Sequence, residues 1–257
     1  MTKPSRESPR PGAAQSGAAR VVGWPGERVR ILGFLSIFWP LPAALVLAGW
    51  CLHAALPVPG LPRAAAAIAL FALCAAARVL SDRFARRFSN FAKGARGEEL
   101  AARALAALPE EWTVLHGVPR RGGAALRGGG DVDHVLVGPP GVFAVETKNW
   151  AGPVRISGAD VLVGDVPVRR SPVVQVRREA AELARDLRPS VPGRGVPVRG
   201  VVCFAGAAPE PRQSDVDGTA VVALERLVPF VLSLPPAPDF GREEREAAVS
   251  VLLRRFR

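Results

Sequence analysis

DVDHVLVGPPGVFAVETKNW, residues 131–150, sets two apolar segments on either side of a Gly-Pro-Pro-Gly turn. Val132–Val137 and Val142–Asn149 are predicted to pair as an antiparallel hairpin across the loop Gly138–Gly141. With Val137 facing Val142, Asp133 falls opposite Glu146, and Asp131 opposite Lys148. Side chains alternate along a strand, so Lys148 shares a face with Glu146. Directly opposed side chains have Cβ atoms about 5 Å apart, and like charges there are destabilising. A divalent cation would turn that repulsion into a ligand set. Hard oxygen donors suit Mg²⁺ or Mn²⁺. A neighbouring lysine can orient a water and offset charge on a reacting phosphate, an arrangement for phosphodiester hydrolysis. A second arrangement fits the same spacing: a solvated hairpin face on which Lys148 bridges Asp131 or Glu146. A register slip of one residue would put Asp133 and Glu146 on opposite faces and remove the metal site.

Outward from the hairpin, the pattern alternates helices and strands. Gly97–Leu108 has an apolar face at helical spacing and stops at Pro109. Trp112–Val118 reads as a strand and Arg120–Gly130 as a Gly/Arg loop. Val154–Ser157 and Val161–Val168 read as short strands and Val173–Leu187 as a helix. Val198–Phe204 reads as a buried strand and Thr219–Ala223 as another. Leu224–Leu234 is a helix containing Pro229, and Arg242–Phe256 a terminal amphipathic helix. This order predicts an α/β fold with a mixed sheet.

Net charge is +11, but it is unevenly placed. Residues 1–96 hold 13 Lys/Arg against 3 Asp/Glu, and residues 97–257 hold 21 against 20. The basic excess therefore belongs to the N-terminal third and is no argument for nucleic-acid binding by the folded part. From Ile31 to Pro62 there is no Asp, Glu, Lys or Arg, and a second apolar run, Ala64–Ala77, lies between Arg63 and Arg78. With PVPGLP as the turn and arginines on both outer flanks, the two runs are predicted to form a transmembrane hairpin with both ends cytoplasmic. Such spans, whose only ionisable group besides cysteine is His53, make a poor transport pathway. Cys51, Cys74 and Cys203 lack the spacing of a disulfide framework or zinc site. Gly128–Gly130 lacks the lysine and helix of a phosphate-binding loop. His134 is expected to point away from Asp133 as a core residue, and His116 likewise. Arg120, Arg121, Arg127, Arg169, Arg170, Arg177 and Arg178 are phosphate-contact candidates, though solvated surface is the commoner state of such runs.

GARGEE (94–99), DVDHVLVGPPGVFAVETKNWAG (131–152) and SPVVQVRRE (171–179) together resemble the NERD, or nuclease-related, domain, a branch of the PD-(D/E)xK nucleases. The resemblance covers about Lys93 to Gly206. It implies a restriction-endonuclease-like mixed sheet flanked by helices, with a metal held by Asp133 and Glu146 and with Lys148 acting at the water. By position it makes Glu98 the acid of the family's G-x-x-G-E, with Glu99 able to substitute. Gln175 becomes the glutamine that opens the following helix. The chain departs from its relatives in QVRRE, which lacks the aromatic or histidine that often follows that glutamine. The departure bears on substrate contact more than on the metal.

The expected organisation is a disordered basic tail (1–30), a transmembrane helical hairpin (31–80), a nuclease domain (90–235) and a C-terminal amphipathic helix (240–257). The expected activity is that of a membrane-anchored, Mg²⁺- or Mn²⁺-dependent nuclease acting on DNA, with RNA as second candidate. Asp133, Glu146, Glu98 and Thr147, through its carbonyl, would serve the metal, Lys148 the water, and Gln175 the positioning of the site. The domain would face the cytoplasm from the inner membrane, its lipid contact made by residues 31–80. The competing expectation is an inactive, membrane-tethered module that binds nucleic acid or protein on the same scaffold.

Overall fold

The computed structural model of the protein describes residues 18–26, 46–47, 49–50, 63–120, 130–157, 160–189 and 195–256. Strands β3 (Asp131–Gly138) and β4 (Gly141–Lys148) form the expected hairpin, in the expected register from Gly138↔Gly141 through Val137↔Val142 to His134↔Val145. Glycine is required at both ends of the turn. A Cβ on Gly138 would lie 2.4 Å from the Trp112 ring, and one on Gly141, at φ +134°, 2.4 Å from the Pro197 carbonyl oxygen. The Pro197 carbonyl accepts the Val142 N–H and so guides the next parallel strand into place.

Around this hairpin lie β1 (Arg20–Val22), β2 (Thr113–Pro119), β8 (Val198–Phe204), β10 (Gln213–Val216) and β11 (Thr219–Ala223). The order across the sheet is β1-β2-β3-β4-β8-β11-β10. β1 runs parallel to β2, and β4, β8 and β11 are mutually parallel, with antiparallel pairs between β2, β3 and β4 and between β10 and β11. The sheet is thus mixed, as expected. β4, β8 and β11 are near-continuous apolar runs because both of their faces are covered. A smaller sheet, β7-β6-β5-β9, is made by β5 (Val154–Ser157), β6 (Asp160–Val163), β7 (Val166–Pro167) and β9 (Pro209–Glu210). The single strand expected over Val161–Val168 is two, because the chain turns at Gly164, whose φ is +64°.

The helices are α1 (Arg63–Leu105), α2 (Pro172–Leu187), α3 (Leu224–Leu232, running through Pro229) and α4 (Arg242–Leu253, continued by a 3₁₀ turn Arg254–Phe256). Leu136, Phe143, Val145, Val201, Cys203 and Val222 meet the end of α1 (Ala101, Leu105) and α3 (Leu227, Val231) on one face. Val135, Val137, Val142, Ala144, Val202 and Phe204 meet α2 (Val173, Val176, Leu183) and α4 (Val249, Leu252) on the other.

Three expectations change. Ala64–Ala77 and residues 97–105 are parts of one 43-residue helix, α1, which no proline or glycine interrupts over residues 64–93 and which continues through Gly94 and Gly97 to end at Leu105, three residues before the expected Leu108. The interior Gly97 brings this helix close to the end of β4, where a Cβ would sit 2.7 Å from Asn149 Cβ. Second, among the described residues no helix is long and apolar enough to cross a membrane. The first expected span, within 31–62, lies almost wholly outside them. Third, part of the expected disordered tail is ordered. Ala19 N–H donates to Leu108 O, Arg20 N–H donates to Trp112 O, and Val21 and Val22 continue the strand. A three-residue edge strand needs only one short β-branched pair, which is easily lost in a Pro/Gly/Arg-rich composition.

Candidate active site

Lys148 ends β4, and alternation puts it with Glu146 on the side of Val142 and Ala144, beneath α2. Asp133 shares that side with Val135 and Val137 of β3. One step past the last paired residues, His134 and Val145, the register sets Asp133 across from Glu146. Here a side chain joins the strands, since Asp133 Oδ2 accepts the Thr147 N–H at 2.8 Å. A strand residue points its N–H and C=O to the same side, so the Thr147 carbonyl also faces β3 and Asp133. Lys148 Nζ donates to Glu146 Oε1 and, at 3.4 Å, to Gln175 Oε1 on α2. Glu146 is buried and its Oε2 has no hydrogen-bond partner among the described residues. Lys148 does bridge Glu146, as the alternative arrangement expects, but Glu146 is buried where that arrangement expects a solvated face.

Glu98 comes from α1, on the other face, where the helix crosses the end of β4. It is buried, and its Oε2 accepts the Gly26 N–H at 2.8 Å. The structure therefore brings together Asp133, Glu146, Thr147, Lys148, Glu98 and Gln175. It also adds Glu179, which composition alone hides as one more charged helix residue. Glu179 lies one turn beyond Gln175, and four-residue spacing on a helix puts both on one stripe. Gln175 Nε2 donates to Glu179 Oε1 at 3.1 Å. Arg120 Nε donates to Glu182 Oε2 at 3.0 Å, farther along the stripe, and Arg255 pairs with Glu182 and Asp186.

Crowded carboxylates shift each other. Burial pushes the Asp133 carboxyl well above its ordinary range, and Glu146 and Glu98 add to this against the Thr147 hydrogen bond. Burial raises Glu98 to about 7, opposed by the Gly26 N–H and assisted by Glu146. Glu179 also rises to about 7, through burial and the Glu146 charge, against the hydrogen bond from Gln175. For Lys148 burial acts downward, but the Glu146 charge and hydrogen bond outweigh it and hold the ammonium protonated.

Residues 93–205 match the family model described as NERD, nuclease-related domain. No curated protein and no solved structure matches the chain. The nuclease-related segment contains every site residue named above except Gly26 and Arg255. Within it, each residue of ETKNW has a local task. Glu146 and Lys148 form the buried pair, Thr147 engages Asp133, Asn149 Nδ2 donates to Lys93 O at 2.7 Å, and Trp150 packs edge-on against Phe204. Among the described residues no group of three or more His, Cys, Asp and Glu side chains is gathered as a metal cluster. Two opposed carboxylates with one buried oxygen unpartnered do suit Mg²⁺, which commonly takes one or two carboxylates and keeps several waters.

The histidines of the nuclease-related segment stand apart, as expected. His116 and His134 are partners across β2 and β3 on the face opposite Asp133, with Nδ1 atoms 2.7 Å apart. Burial lowers His116 to about 4, and burial together with His116 lowers His134 well below its ordinary value. Folded-state values below the unfolded value of about 6.5 mean the unfolded chain binds these protons first. The pair therefore destabilises the fold as pH falls from about 6.5 toward 4. Glu98 and Glu179, raised toward 7, act in the opposite sense between about 7 and 4.5. A histidine ¹⁵N NMR titration separates the two effects. Both rings should stay neutral down to about pH 5, and a midpoint near 6.5 for either ring would refute the buried pair.

Proposed function

We propose that the protein is a metal-dependent nuclease that hydrolyses phosphodiester bonds, with DNA the preferred substrate over RNA. The observation that carries this is a buried Glu146 hydrogen-bonded by Lys148, its Oε2 without a partner among the described residues, with Asp133 held beside β4 through the Thr147 N–H one step past the paired register. The match of residues 93–205 to the nuclease-related domain supports it.

Asp133 and Glu146, with Glu98 and the Thr147 carbonyl as further ligands, would hold Mg²⁺ or Mn²⁺, which supplies Lewis-acid polarisation of the phosphodiester and acidifies a water. Lys148, kept protonated by Glu146, donates a hydrogen bond that orients the attacking water. It also offsets the negative charge that grows on the phosphoryl oxygens. Water oxygen bonds to phosphorus as the ester P–O bond breaks, giving a phosphomonoester and an alcohol. Gln175 holds the ammonium from the side of α2. The test is incubation of the purified chain with Mg²⁺ or Mn²⁺ and a panel of single- and double-stranded DNA and RNA. Cleavage that a chelator stops is expected. If no substrate is cut faster than by the Lys148→Ala protein, the proposal fails.

The same proposal includes a membrane anchor and a cytoplasmic face for the domain. Its support is the run 31–62, free of Asp, Glu, Lys and Arg and flanked by arginines. The protein should stay with the membrane pellet after alkaline carbonate extraction of cells. Its release into the supernatant would remove the anchor from the proposal.

A further inference from the structure

Glu179 has no part in the chemistry above, yet it is 1% exposed and its Oε2 has no hydrogen-bond partner among the described residues. Its other oxygen accepts from Gln175 Nε2 at 3.1 Å, with Arg120 Nη1 3.9 Å away. At its far end Gln175 presents Oε1 to Lys148 Nζ at 3.4 Å. The amide thus bridges an ammonium, which only donates, and a carboxylate, which when ionised only accepts. One orientation of the amide satisfies both neighbours. The flipped one sets NH₂ against the ammonium and oxygen against the carboxylate, and satisfies neither. With Gln175 half-buried and Glu179 and Lys148 both largely covered, water is poorly placed to repair the flipped state.

We propose that Glu179 is a positioning residue for Lys148, acting through Gln175, whose side-chain amide it locks with the oxygen toward the ammonium. Glu179 fixes the amide, the amide oxygen gives Lys148 a second acceptor besides Glu146, and two acceptors hold Nζ where one would let it swing. Arg120, held by Glu182 farther along the stripe, sets a cation 3.9 Å from the same Glu179 oxygen that accepts from Gln175. The catalytic consequence rests on the nuclease reading, but the locked amide does not.

Two arms test it, both at about pH 8.5 so that Glu179 is ionised, on the full chain. In the first, ¹H–¹⁵N spectra follow the Gln175 side-chain NH₂ in wild type and in the near-isosteric Glu179→Gln protein. A shift and loss of exchange protection confined to that group is expected. Unchanged Gln175 resonances overturn the proposal whether or not the protein cleaves anything. In the second, Glu179→Gln should lower kcat on the order of tenfold, as for an outer partner of a positioned group, with KM within about twofold. In a Gln175→Ala background it should have no further effect, since the intermediary is gone. An equal loss in both backgrounds overturns the proposal. A wild-type protein that cuts nothing refutes the nuclease reading and leaves the spectra to decide the role of Glu179.

Discussion

For the proposed metal-dependent cleavage, Lys148→Ala is expected to lower kcat by roughly 10³-fold while the fold survives. The size follows from what the ammonium does. A preorganised donor aimed at developing charge in a covered site contributes about 10²–10³ in rate, and in the proposed mechanism Lys148 also orients the water. Removing it also strips Glu146 Oε1 of its partner, in a carboxylate already crowded by Asp133. Because that oxygen becomes free, Mn²⁺ affinity should hold or rise as kcat falls. Paired cleavage kinetics and calorimetric titration check this. A kcat within about threefold of wild type would show that Lys148 is only a counter-charge.

Asp133→Asn should separate activity from stability. Cleavage falls by at least about 10²-fold, because one of two opposed carboxylates is lost. The metal-free protein becomes more stable at neutral pH. Burial, Glu146 and Glu98 all disfavour the charged form of Asp133, and a pKa raised in the folded state means stability is lost as pH climbs past the unfolded value. Asparagine removes that charge, and its oxygen can still accept the Thr147 N–H. A gain of about 1–3 kcal/mol is expected in urea unfolding with chelator present, since strained functional sites commonly cost stability of this order. The gain should shrink with saturating Mn²⁺, which stabilises only the wild-type site. Loss of stability without metal would mean that Asp133 is structural, its bond to Thr147 outweighing the repulsion.

Much of this site was legible because a hairpin is a rigid rule. Once Pro139 and Pro140 mark the turn, alternation dictates that Asp133, Glu146 and Lys148 share a face, and the structure keeps that register. Trp112–Val118, Val198–Phe204 and Thr219–Ala223 were legible for a related reason: a covered strand is a dense run of β-branched residues. What escaped was either too short or dependent on tertiary contact. β1, β9 and β10 have two to four residues each, too few to show a period. Glu179 looks in sequence like a solvated helix residue, and only its burial and its hydrogen bond from Gln175 mark it out. Glu98 was reached through resemblance alone, because no local pattern predicts that a helix on the opposite face delivers a side chain around the end of β4.

The hydrogen bond from Gly26 to Glu98 spans 72 positions of sequence. Gly26, at φ +69°, rests against Ala95, leaving about 3.1 Å for any added Cβ. Gly26 and Ala95, far apart in sequence, are thus held side by side, next to the turn of α1 that carries Glu98. The same backbone N–H that fills one Glu98 oxygen therefore also fixes the height at which α1 passes the end of β4. A side chain at position 26 would press on Ala95 and draw that N–H away, so a substitution far from the hairpin would be felt at Glu98.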